Sequence, residues 1–225
     1  MTETILAAER AICTPGEILA TGMGFIPGKG TYRESDNIRA GRLGILSIEG
    51  KVLKLTPLSG TYLPKINDRI IGTVCDVLMT GWRMETNSPY SAVMNLKDAT
   101  AEFIPRGADL TQYFDIGDNV MCKIINVTSQ RLVDITTKGP GLRKLEGGRI
   151  IKVGPQKIPR IIGKEGSMLA IIKESTGCEI QAGQNGLIWI QGEPEAEIKA
   201  AKAIKKIEEE AHKSGLTEKI KTLLQ

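Results

Sequence analysis

The stretch Arg160–Met168, RIIGKEGSM, places two glycines between two helical patterns. Ile158, Ile161 and Ile162 form the apolar face of one helix, and Met168, Leu169, Ile171 and Ile172 that of the next. Each glycine in such surroundings costs about 1 kcal/mol relative to alanine. Gly163 and Gly166 therefore break the region into helix, turn and helix, and a use must offset their cost.

The flanks supply the context. RIIKV reads as a strand, PQKIPRIIG as a short helix and SMLAIIKEST as a second, ended by Gly177. CEIQAGQNGLIWIQG is a hairpin whose Asn185-Gly186 pair suits a type I′ turn. A long last helix starts at Pro194, a favoured first-turn residue. Ile198, Ala201, Ile204, Ile207 and Ala211 give it one apolar stripe, and Gly215 can cap it. The order β-α-α-β-β-α, with GKEG between the short helices, resembles a type I KH domain, whose GXXG loop clamps the backbone of about four nucleotides.

The resemblance implies RNA contacts at Gly163, Lys164, Glu165 and Gly166, with Arg160 one turn earlier. A bare glycine lets a phosphate approach the main chain, and a side chain at either glycine would push it away. The second helix then offers unpaired N–H groups and a positive dipole end, and Lys164 adds a point charge. Glu165 departs from the family's usual neutral or basic pair, and a carboxylate opposes a phosphate unless it points outward. The bland alternative is a tight interhelical turn and nothing more.

The chain of 225 residues has room for one to three small domains. Residues 1–63 consist of short apolar runs cut by turns: GEILATG, GRLGILSIEG and KVLKLTPL read as strands, and GFIPGKGTYRESDN as a glycine-rich polar loop. This is a small β-rich docking domain. In residues 64–138, RIIGTVCDVLM, GWRMETN, YSAVMNL, NVMCKIINVTS and RLVDITTKG form five strands, with a helical turn or two in AEFIPRGADLTQYF. Five short strands with a helical insertion after the third are the plan of an OB fold. Residues 139–148, within KGPGLRKLEGGR, read as a hinge-like linker, and 149–225 as the KH unit. The fold class is multidomain, β-rich plus α+β.

The barrel resembles the S1-type OB fold through GTVCDVLMTGW, where Gly72 opens the first strand and an aromatic follows Gly81, and through FDIGDNVMCKIINV. In that family exposed aromatics stack bases beside basic residues. The resemblance implies Trp82 and Tyr90 as stacking residues and Arg83, Lys123 and Arg131 as phosphate contacts; Trp82 turning inward as core is the open alternative. The family's histidine after the third strand is absent, and FIPRGADL stands there.

Net charge is only +4, but the basic residues are concentrated. Lys138, Arg143, Lys144, Arg149, Lys152, Lys157, Arg160 and Lys164 fall in one tract opposed by Glu146 alone. Polyanion binding through Arg149, Lys152, Lys157 and Arg160 would be salt-dependent; a solvated surface is the alternative. Aromatics are 4% of the chain, so each matters. Trp189 is expected in the core or between domains. His212, beside Lys213, suits the end of the last helix, where a cation meets the dipole.

Cys13, Cys75, Cys122 and Cys178 have no zinc-ribbon spacing and read as small buried hydrophobes of a reducing cytoplasm. No metal site, cofactor, transmembrane span or secretory signal is expected. Dispersed acids, a single histidine and the lack of a GXXXXGK[ST] loop argue against an enzyme.

The whole plan resembles the RNA-binding cap subunit of the archaeal exosome. TPGEILATG, GKGTYRESDNI, LTPLSGTYLPKINDRIIGTV, KIPRIIGKEGSM and GQNGLIWIQG carry the likeness over nearly the full chain. It implies a non-catalytic subunit that binds single-stranded RNA. Three copies would sit on a ring of phosphorolytic RNase-PH-type subunits, mixed in some rings with a zinc-ribbon cap, and feed the 3′ end into the pore. Three weak contacts on one ring raise effective concentration yet let RNA slide. Rival readings are a transcription antitermination factor, which joins S1 to two KH modules after a helical start, the tail of polynucleotide phosphorylase, where KH precedes S1, and a structural clamp that never touches RNA.

Overall fold

LSIE and LKLT, within GILSIE and VLKLTP, alternate apolar and polar residues with the period of two that a half-buried strand requires, and the two strands pair antiparallel from Gly44↔Pro57 to Glu49↔Val52. The computed structural model describes residues 3–105, 107–211 and 215–224, and the chain divides after Gly60 into two compact units. In the first, the strands are β1 (Thr4–Ile5), β2 (Ile12–Cys13), β3 (Ile18–Thr21), β4 (Ile26–Pro27), β5 (Thr31–Glu34), β6 (Asn37–Ala40), β7 (Gly44–Glu49) and β8 (Val52–Pro57). They form two four-stranded sheets, β1-β3-β6-β5 and β2-β7-β8-β4, around Leu19, Phe25, Ile38, Leu46, Leu53 and Leu55.

The stretch expected as a polar loop is structured: it contains β4 and β5 and turns into β6 through Ser35, which has φ 53°. TYRE hid its strand because none of its side chains is fully buried, so no apolar alternation marks it.

The second unit opens with a barrel of β9 (Arg69–Leu78), β10 (Gly81–Glu85) and β11 (Ala92–Asn95), then helix α1 (Leu96–Ala99), β12 (Asn119–Val127) and β13 (Val133–Thr136). The order β9-β10-β11-β13-β12 closes back onto β9, with β11 and β13 parallel and the other pairs antiparallel. That is the closed five-stranded plan read from the sequence. The insertion differs in detail. Its helix forms at once from β11 as α1, and among the described residues of 101–114 only Leu110–Gln112 makes a 3-10 turn, capped by the Asp109 carboxylate. Gly72 lies inside β9 rather than at its start.

The expected linker is partly sheet. Lys144–Leu145 forms β14 and pairs with Asn119–Val120 of β12, which buries Leu145.

The KH unit follows as β15 (Arg149–Lys152), α2 (Ile158–Ile162), α3 (Ser167–Thr176), β16 (Glu179–Ala182), β17 (Leu187–Gln191) and α4 (Pro194–Glu209). Its sheet is β15-β17-β16, antiparallel throughout. Ile180, Ile188 and Ile190 pack with Ile161, Ile172, Ile204 and Ile207 from the helices. A further helix, α5 (Leu216–Leu224), adds Leu216 and Ile220 to this core. Gly215 thus precedes α5 instead of capping α4, which ends at Glu209. The expectation for His212 and Lys213 falls outside the described residues.

The apolar stripe of α4 is rotated from the expected one. Ile198 is 43% exposed, while Ala200, Ala203, Ile204 and Ile207 are buried together with Glu197. The Glu197 carboxylate accepts from Arg149 Nε at 2.8 Å and from the Gly192 N–H at 3.2 Å, so a charged residue holds the first inward position. Three cysteines are buried as expected; Cys75 is exposed on β9. Burial pushes the Cys122 thiol up to about 12, which keeps it protonated.

One face of the KH sheet carries helices, and the other lies on the barrel. Trp189 is buried with Ile71, Met121 and Leu145, against Leu142, Ile150 and Leu187. Its indole donates to the Gly147 carbonyl at 2.9 Å, and the Arg143 guanidinium lies 5.6 Å from the ring centroid. The β16–β17 turn is not type I′. Only Gly186 has positive φ, the Gly186 N–H bonds to the Gly183 carbonyl, and the Asn185 side chain is directed into the barrel.

Candidate nucleic-acid interface

Helix α2 stops where Gly163 takes φ 76°, ψ 176°, with its N–H still bonded to the Pro159 carbonyl at 3.0 Å. Lys164–Gly166 then make one 3-10 turn, with Glu165 left-handed at φ 53° and Gly166 at φ 82°. Gly166 precedes α3 without any side-chain cap. The first-turn N–H groups of α3 therefore keep the anion-binding character of a helix start.

The two glycines have different reasons. A Cβ on Gly163 would lie 2.7 Å from the Met168 N and 2.8 Å from the Met168 Cβ, so the close approach of the loop to α3 requires glycine there. A Cβ on Gly166 would meet nothing within 4 Å. Its glycine serves the left-handed backbone and leaves the space before α3 empty. The sequence pattern suggests one role for both glycines; the geometry separates them, with open space at Gly166 and close packing at Gly163.

Lys164 and Glu165 are both exposed. Arg160 is exposed on α2, and Lys157 is half-buried in the 3-10 turn before it. These cations share the helical side of the KH unit with the loop. The rest of the basic tract is dispersed. Arg149 is held by Glu197, Arg143 pairs with Glu179, and Lys144 with Asp118 at 2.5 Å. The Arg143 guanidinium lowers the Glu179 pKa by donating to its carboxylate, which partial burial opposes. Lys152 pairs across the sheet with Leu187, on the face opposite α2 and α3.

The barrel changes one assignment outright. Trp82 is fully buried, its indole N–H donates to the Phe114 carbonyl at 2.8 Å, and its ring meets the Phe114 ring edge-on at 5.3 Å. It is core and no base can stack on it. Burial alternates along β10, so Trp82 and Met84 point in while Arg83 and Glu85 point out. Arg83 faces Asp76 across the strand pair at 3.6 Å. Tyr90 is half-buried, with the Arg131 guanidinium 6.0 Å from its ring centroid. Lys123 on β12 pairs with Arg69 on β9, a cation that the sequence reading did not single out. Tyr90 with Arg131 and Lys123 with Arg69 are thus neighbours on the barrel; the Asn185 contact with the barrel has no sequence signal, because nothing local distinguishes a turn asparagine from a buried one.

Among the described residues no group of three or more His, Cys, Asp or Glu could hold a metal ion, and no helix is long and apolar enough to cross a membrane.

Comparison with known proteins gives two family matches. Residues 12–49 match the family described as the N-terminal region of exosome complex exonuclease RRP4, and residues 149–209 match the KH domain. The chain is 41% identical over 221 residues to the exosome complex component Rrp4 of Methanothermus fervidus, covering 98% of this chain and 97% of that one. It is 40% identical to Rrp4 of Pyrococcus furiosus, covering 98% and 84%. A crystal structure assigned by its description to an exosome complex RNA-binding protein superposes with a TM-score of 0.65 at 34% identity, over 73% of this chain and 95% of that one.

Proposed function

The chain belongs to the Rrp4 family of exosome complex components, and from that premise we propose that it is the RNA-binding cap of an archaeal exosome. It holds single-stranded RNA and guides the 3′ end to phosphorolytic ring subunits, which perform 3′-to-5′ degradation. Although the matched N-terminal family is described as an exonuclease region, in this reading the chain itself cuts nothing.

The observation that carries the reading is the GKEG turn: exposed at Lys164 and Glu165, free of any side chain at Gly166, placed at the uncapped start of α3 and flanked by Lys157 and Arg160. A phosphate entering there meets main-chain N–H groups, the positive end of a helix of ten residues and nearby cations. Glu165 is exposed and does not cap α3, so its carboxylate can stand away from the strand. Tyr90 offers the barrel's aromatic face, with Arg131, Lys123 and Arg83 as phosphate contacts, and contacts of this kind bind any sequence.

Such contacts are individually weak. Three caps on one ring multiply them through effective concentration, and a strand held by several weak sites still slides toward the pore. The β-rich first unit is the part that docks on the ring. The complex works in the cytoplasm and needs no cofactor in this subunit.

Co-purification from the source organism tests the assembly: ring subunits of the RNase-PH type should accompany the chain. A clean preparation of the chain alone should bind an adenine-rich oligomer and leave its length unchanged. Reproducible shortening would overturn the non-catalytic reading.

A further inference from the structure

Between the barrel and the KH sheet lies a cleft of about 350 Å³, within the roughly 300–1,000 Å³ common for small-ligand sites. We propose that this cleft is a pocket for one unpaired nucleobase, selective for guanine, on the face of the KH sheet opposite the GKEG loop; the inference rests on the RNA-binding reading above.

The floor is a register row. Glu85 pairs with Thr73, and Thr73 with Asn119, across three adjacent strands. Cross-strand partners share a face, so these side chains stand side by side, with successive strands about 4.8 Å apart. Thr73 Oγ donates to Asn119 Oδ1 at 2.8 Å, which fixes the amide and leaves its Nδ2 hydrogens as donors. Glu85 and Lys152 have no ion pair among the described residues. Opposite, Ile150 and Leu187 give an apolar wall, and Lys152 stands beside Leu187.

The cleft thus offers a carboxylate at one end of the row, an amide donor at the other, an ammonium group and an apolar wall. One acid against one base leaves it neutral, a poor match for phosphate and a good one for the edge of a base. Guanine places N1–H and N2–H together, where a carboxylate accepts both, with O6 beside them for Asn119 or Lys152. Adenine presents a lone pair at N1, which the Glu85 carboxylate would repel. A bidentate contact of this kind discriminates between bases by about tenfold or more.

The test is an amide NMR titration of the full chain with guanosine and, separately, adenosine; neither carries a phosphate for the GKEG loop. Guanosine should move the Thr73, Asn119, Gly148 and Leu187 resonances and bind about tenfold more tightly than adenosine. Glu85→Gln should remove that preference while leaving affinity for an all-adenine oligomer unchanged. Equal response to both nucleosides, or none, would show only a solvent-filled gap and overturn the pocket. The oligomer measured alongside separates the two claims. Binding of the oligomer without guanosine sinks the pocket alone, and binding of guanosine without the oligomer sinks the cap reading alone.

Discussion

Asn185 pairs with Ile71 as one strand residue pairs with another: its carboxamide donates to the Ile71 carbonyl at 2.7 Å and accepts from the Ile71 N–H at 3.3 Å. The same amide donates to the Thr86 carbonyl at 2.8 Å. Strand β10 ends at Glu85, so a side chain from the KH turn continues the barrel's ladder beyond it. The Asn185 carbonyl in turn accepts from Asn87 Nδ2, and the Gln184 N–H donates to the Arg69 carbonyl.

Asn185→Ala should therefore destabilise the barrel–KH unit by about 3 kcal/mol, since buried backbone groups lose their partners. Asn185→Asp should cost at least as much, because a carboxylate cannot donate to the two carbonyls. Chemical denaturation followed by Trp189 fluorescence measures both.

Trp82 and Tyr90 should separate stability from binding. Trp82→Ala removes a fully buried ring and its hydrogen bond, at about 3–5 kcal/mol. Tyr90→Ala, at a half-buried ring packed on the barrel core, should cost the fold clearly less than Trp82→Ala and weaken RNA by roughly 1 kcal/mol, the loss of one stacked base. Paired thermal melts and anisotropy titrations decide it; equal stability losses would contradict the assignment of Trp82 to the core.

The plan of the chain was legible where local pattern and tertiary role agree. The GKEG turn, the five barrel strands and the KH order rest on periodicity and glycine placement, and all three appear. What failed was set by contacts distant in sequence. Ile198 fits an apolar stripe, but Glu197 takes the inward place because Arg149 waits 48 residues away. Lys144 and Leu145 look like linker because their partner strand lies in the barrel. Charge in sequence likewise overstated charge in space, since Asp118, Glu179 and Glu197 neutralise part of the basic tract. The faces of β10 were written in the alternation of Trp82 and Met84 with Arg83 and Glu85, a signal the stacking analogy overrode.

The Arg143–Glu179 pair ties the β14 segment to β16. The folded Glu179 pKa is lowered below its ordinary 4.5, chiefly by the hydrogen bond from Arg143. Its stabilisation is thus present above pH 4.5 and is lost as pH falls through the lower folded value. Glu179→Gln should flatten that part of the acid limb of stability. Both groups are nearly half exposed, so the effect should also shrink in high salt.

Gly163→Ala should lower stability, because its Cβ meets the Met168 backbone. Gly166→Ala should cost only about 1–2 kcal/mol, the strain of a left-handed alanine. Thermal melts that rank the two the other way would contradict the division of roles between them.

The most direct measurement is the affinity of the full chain for an adenine-rich single strand, wild type against Lys164→Glu with Gly166→Asp, at two salt concentrations. The account predicts a loss of about tenfold or more, with the thermal melt nearly unchanged and a shallower salt slope. Equal affinity and equal slope would show that RNA does not pass the α2–α3 turn.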